Sequence, residues 1–169
     1  MVKLILLLLV SSIAFSRQLE RQVYIGGRAG HVSMTESAKG NYGDAVGYGL
    51  DFGLKDLFRN IDAYYNWQLS PHGGPGNLSV QAHSFAFEFH PLDLVDMDVT
   101  LGIGPGFYLF KRETGTEGRF GLGVGASAAL ILKEHLILGI LSKYHLIKES
   151  PISGNFWTFM AKIGYAFSV

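Results

Sequence analysis

Three side chains carry the types that hydrolytic chemistry needs. His31 and Ser33 are two residues apart, so an extended chain places them on one face, and Glu36 follows three residues later. A hydroxyl beside an imidazole, with a carboxylate in reach, is the nucleophile–base–acid arrangement of acyl transfer. At a strand–loop junction beside lipid it would suit a lipid-modifying hydrolase; an ordinary polar rim would look the same. His83 and Ser84 are adjacent, so in a strand they point to opposite faces and cannot act as base and nucleophile. The histidines, His72, His90, His135 and His145 among them, show no metal-ligand spacing. Cysteine is absent, which removes disulfides, thiolate catalysis and cysteine-ligated zinc. No catalytic residue is assigned beyond the candidates His31, Ser33 and Glu36, and no cofactor or metal is expected.

A second set is purely ionic. Arg28, Asp51, Asp62, Glu88, Lys143 and Lys162 fall on the wet faces of alternating segments, balanced in sign. Enclosed together they must pair, because an isolated buried charge is prohibitively costly. A salt-bridged plug that fixes strand register is the expectation, with a proton path or narrow pore as the alternative. Gly102, Gly104, Gly121, Gly123 and Gly125 lie on the same inner faces. They leave room for large neighbours such as Tyr64, or for a small cavity.

The segments that must position these groups are strands. In 155–169, Trp157, Phe159, Ala161, Ile163, Tyr165, Phe167 and Val169 alternate with residues that are small or polar apart from Met160. The stretch is long for a soluble strand and suits a tilted one crossing a bilayer, which takes about 9–11 residues. The same period-2 pattern recurs over 23–34, 45–54, 60–69, 78–90, 97–110, 119–132 and 136–147. Polar loops are expected at 35–44, 70–77, 111–118 and 149–155, with shorter turns at 55–59, 91–96 and 133–135. An even strand number with alternating long and short connections predicts an all-β fold, an eight-stranded antiparallel up-and-down transmembrane β-barrel. Pro105 lacks the donor a ladder needs, so a bulge or an early strand end is expected there. Aromatic belts are expected at both rims: Tyr65, Trp67, Phe107, Phe120, Tyr144 and Trp157 at one, Phe58, Phe87, Phe89, Tyr165 and Phe167 at the other.

The chain has 169 residues, enough for one domain. It opens Met-Val-Lys, followed by an apolar run and then Ala14-Phe15-Ser16. This reads as a secretory signal peptide over 1–16, leaving a single barrel domain over 17–169. The apolar run is shorter than the roughly 20 residues of a membrane-spanning helix. Losing Lys3 with the leader leaves 13 basic against 14 acidic residues, so no polybasic nucleic-acid surface is present. Twenty-two glycines and 13% aromatics favour strands and tight turns.

The signal peptide, the strand count, the loop alternation and the closing strand together resemble the small outer-membrane β-barrel families of Gram-negative bacteria, OmpX/OmpW-like and OmpA-barrel-like. The resemblance covers the whole mature chain. It implies export to the bacterial outer membrane, contact with outer-membrane lipid and lipopolysaccharide, and a monomer. It also implies that the barrel-insertion machinery reads Tyr165, Phe167 and Val169 as the assembly signal; Val169 stands where that family usually ends in Phe. His31-Val32-Ser33 is similar, more distantly, to the His-x-Ser of lipid A deacylase barrels. The function expected is a non-enzymatic barrel, structural or adhesive, with a salt-bridged interior and short surface loops. A narrow transporter for small hydrophobic molecules and a lipid A-modifying hydrolase are the alternatives.

Overall fold

The computed structural model describes residues 21–35, 42–74, 77–94, 96–133, 135–148 and 154–168. The expected signal peptide, Glu36 and Val169 lie outside them. Eight strands follow in order: β1 (Gln22–Met34), β2 (Ala45–Phe58), β3 (Ile61–His72), β4 (Leu78–Asp93), β5 (Met97–Arg112), β6 (Gly115–Leu132), β7 (Leu136–Ile147) and β8 (Phe156–Ser168). Each pairs antiparallel with the next, and β1 closes on β8 from Gln22↔Ser168 to Met34↔Phe156. Closure leaves no sheet edge, so the backbone can satisfy itself without water.

Alternation decides which face is which. Ile25, Leu50, Phe52, Phe85, Phe87, Leu101, Ile103, Val124, Ile140, Phe159 and Ile163 point outward and are exposed. A soluble monomer rarely leaves apolar surface on this scale uncovered, so the band is a lipid-facing girdle. Ring pairs sit along it: Phe107 with Phe120 at 5.1 Å and Tyr144 with Trp157 at 4.6 Å toward the end carrying the β1–β2 and β5–β6 connections. Tyr165 and Phe167 lie 4.8 Å apart toward the other end. The first end is called the loop end below, the second the turn end.

The strands outrun their expected bounds, and the reasons are local. The expected turn 55–59 is mostly strand: β2 runs to Phe58 through a register shift between Leu54 and Phe58, with Asp56 at φ 53°. A bulge adds a residue and re-aims its neighbours, so Lys55 and Asp56 both turn inward and are buried. A second shift between Phe89 and Leu92 carries β4 past His90. The loop expected over 111–118 is instead a hairpin closed at Glu113 and Thr114, with Lys111↔Thr116 and Leu109↔Gly118 paired. The β3–β4 connection also shrinks, because β3 runs on to His72.

Pro105 produces neither a bulge nor a strand end. Pairing to β6 is unbroken from Met97↔Leu130 to Arg112↔Gly115. On the β4 side Ser84↔Gly106 and Phe87↔Ile103 keep one register across it, with the two rungs between them missing. The absent N–H is thus absorbed on one side only. Gly104 allows it, since a Cβ there would overlap the Phe85 carbonyl.

Candidate functional site: the barrel lumen

The lumen is layered along its axis. At the loop end the inward residues are apolar. Val32, Met34, Tyr42, Leu78, Val80, Tyr108, Phe110, Phe156 and Met160 form one buried cluster, each at most 3% exposed. Tyr108 OH is 2.9 Å from His145 Nδ1, and the His145 ring stacks on Phe156 with centroids 4.2 Å apart. An eight-stranded barrel is just wide enough for its own side chains, so this cluster fills the section it occupies.

The middle layer holds five of the six expected charges. Arg28 Nη1 lies 3.4 Å from Asp51 Oδ1, and Asn66 Nδ2 donates to the same oxygen at 3.0 Å. Lys143 Nζ donates to Ser84 Oγ at 3.1 Å and to Asn66 Oδ1 at 3.5 Å. Thr100 Oγ1 donates to Glu88 at 3.0 Å and lies 2.9 Å from Ser127 Oγ, which accepts from Lys162 Nζ at 2.9 Å. Among the described residues, Arg28 and Asp51 are the one direct ion pair between members of the set. The other three are linked through neutral hydroxyls and an amide. The inner glycines of β5 and β6 make room for Glu88 and Lys143, whereas Tyr64 takes the space over Gly53 on β2. A Cβ on Gly123 would strike the Lys143 chain, and one on Gly49 would come within 3.0 Å of Arg28 Nε.

Asp62 belongs to a separate cluster at the turn end. It accepts from Tyr64 OH at 2.7 Å and from the Asp56 backbone N–H at 2.7 Å. His90 bridges two carboxylates, with Nε2 at 3.0 Å from Asp62 and Nδ1 at 2.5 Å from Asp98. Lys55 Nζ completes the chain at 3.0 Å from Asp98 Oδ2. Asp62, His90 and Asp98 are buried and offer metal-ligand atoms within 4.8 Å of one another. His90 Nδ1 is hydrogen-bonded to Asp98, its Nε2 faces Asp62 at ion-pair distance, and Lys55 already neutralises Asp98, so the arrangement is that of an ion-pair chain. Sequence reasoning missed Lys55, His90 and Asp98 as members, although all three share the inward parity of Asp51, Glu88 and Thr100 on their own strands.

The hydrolytic candidates lie outside the barrel at the loop end. Ser33 Oγ donates to Asp44 Oδ1 at 2.7 Å, and His31 Nε2 is 3.4 Å from Asp44 Oδ2. The order is Ser33–Asp44–His31, with the carboxylate between hydroxyl and imidazole. A relay needs the imidazole in that place. Tyr165 and Phe167 face outward on β8, 43% and 48% exposed.

No family model matches the chain, and no curated protein matches it in sequence. Solved structures do. Neisserial surface protein A superposes with a TM-score of 0.67 at 10% identity, covering 89% of this chain and 97% of that one. The N-terminal β-barrel domain of Pseudomonas aeruginosa OprF gives 0.63 at 12% identity over 89% and 100%. Ail, the attachment invasion locus protein of Yersinia pestis, gives 0.52 at 16% over 89% and 100%. The chain therefore has the fold of the small eight-stranded outer-membrane barrels.

Proposed function

We propose that this protein is a non-enzymatic barrel of the bacterial outer membrane, with a closed lumen and a structural or adhesive role at the cell surface. The observation that carries the reading is the buried cluster at the loop end, from Val32 and Met34 across to Phe110 and Phe156, inside a wall whose outer face is apolar. In this reading the loop end faces the exterior, lipopolysaccharide surrounds the girdle, and the insertion machinery reads the outward aromatics of β8. A filled outer section weighs against a transporter for small hydrophobic molecules. The carboxylate between Ser33 and His31 weighs against a hydrolase.

The adhesive surface on this reading is the β5–β6 hairpin. Its strands are 16 and 18 residues long. A strand rising about 3.3 Å per residue and tilted about 45° needs roughly 9–11 residues to cross, so the hairpin stands clear of the hydrocarbon. It is braced near its tip. Arg119 pairs with Glu117, Asn77 Nδ2 donates to Glu113 at 3.1 Å, and the Arg112 guanidinium lies 4.8 Å over the Tyr42 ring. Neisserial surface protein A and the attachment invasion locus protein, which share the fold, carry surface and attachment in their names.

The test compares cells producing the full chain with cells producing a variant whose 111–118 segment is cut to a two-residue turn. Both should fractionate with the outer membrane and show a boiling-dependent gel shift, and only the full chain should promote adherence to host-cell or matrix-coated surfaces. Equal adherence of the two would end the adhesive reading. Absence from the outer-membrane fraction would end the localisation.

A further inference from the structure

The middle layer of the lumen is over-supplied with positive charge. Arg28, Lys143 and Lys162 face Asp51 and Glu88 across a cavity of about 20 Å³ that all five line. Among the described residues Lys143 has no carboxylate partner: its ammonium is held by Ser84 and Asn66, both neutral, although the residue is only 5% exposed. Two buried donors at the same cavity are unspent. Arg28 Nε and Tyr24 OH have no hydrogen-bond partner, and their residues are 6% and 3% exposed. A buried polar group without a partner costs about 1–3 kcal/mol and a buried charge more, so the site as built calls for an acceptor.

We propose that this cavity is a binding site for one monoatomic monovalent anion, a halide, held by Arg28, Lys143, Lys162 and Tyr24. Size bounds the occupant: a space of this volume admits a particle of water or halide scale. Charge selects the sign: one anion balances the layer, whereas a cation would add to the excess. Gly49 and Gly123 leave the room that Arg28 and Lys143 occupy, so the barrel's own residues make space for the cationic wall. The anion would act as a structural counter-ion that lets Lys143 stay buried without a carboxylate.

The test uses bromide and the refolded full chain in detergent micelles. Thermal unfolding is followed by circular dichroism at constant ionic strength, exchanging sodium gluconate for sodium bromide. The proposal expects Tm to rise with bromide and saturate. Lys143→Met should fold, because it strips no carboxylate of its partner, and its bromide response should fall at least tenfold in midpoint concentration. Lys162→Gln serves as the second variant. Crystals soaked in bromide should show an anomalous peak within hydrogen-bond reach of Arg28 Nε and Lys143 Nζ. An unchanged Tm in bromide, a response that survives in both variants, or an empty cavity in the anomalous map would overturn the proposal and leave Glu88 to swing across as the counter-charge.

Discussion

Toward the loop end, the lumen is packed by Val32, Met34, Tyr108, Phe110, Phe156 and Met160; toward the turn end, the same bore is filled by Lys55, Asp62, His90 and Asp98. Both fillings are buried, but they resist damage differently. Apolar packing loses roughly what is removed, whereas an ion-pair chain loses its balance when one member goes. The contrast also divides the tasks. On the proposed reading the apolar section closes the tube; the ionic section ties β2, β3, β4 and β5 together near the bulges in β2 and β4.

The sharpest test of that contrast is Asp98→Ala, which strands Lys55 in the bore and leaves His90 with Asp62 alone. It should cost about 3–5 kcal/mol, read from urea unfolding of the barrel in lipid vesicles by Trp67 and Trp157 fluorescence. Replacing both partners, Lys55→Met with Asp98→Leu, should recover most of that loss; a double variant as weak as the single one would show that the pair itself, not the stranded charge, supplies the stability. Next in size, Met160→Ala should cost about 2–5 kcal/mol, with the value set by how far its neighbours collapse. If it left Asp98→Ala unchanged in cost when combined with it, the two sections would be independent, as sites without shared partners are. Smallest is Ser33→Ala on the outer face of the rim, expected to stay within about 0.5 kcal/mol and to leave lipid A of producing cells unchanged by mass spectrometry.

The alternation of each strand was legible because lipid and lumen impose opposite faces on it, and the eight strands and their closure follow from that pattern. The pattern fades where a strand leaves the hydrocarbon. Lys111, Arg112, Glu117 and Arg119 are wet on both faces, so a hairpin there looks like a loop. The bulge at Asp56 was hidden for another reason: nothing in Leu54-Lys55-Asp56 marks the added residue, and ending the strand at Leu54 left Lys55 unseen. Within the lumen, the assumption that inward means polar picked out Arg28, Asp51 and Lys143. The same assumption passed over Val32 and Met34, which follow Arg28 on the same face. Pairing was the least legible part. The six expected charges divide between two clusters because His90, Asn66, Ser84 and Ser127 decide who meets whom, and those contacts depend on rotamers across the bore.

The central claim, a barrel closed by side chains at its loop end, is tested most directly by electrical recording across a planar bilayer. The account predicts that the wild-type chain, its insertion verified by a boiling-dependent gel shift, conducts no steady current, and that a variant combining Phe110→Ala, Phe156→Ala and Met160→Ala opens a small ohmic one. A steady wild-type conductance, unaltered by those three truncations, would contradict it.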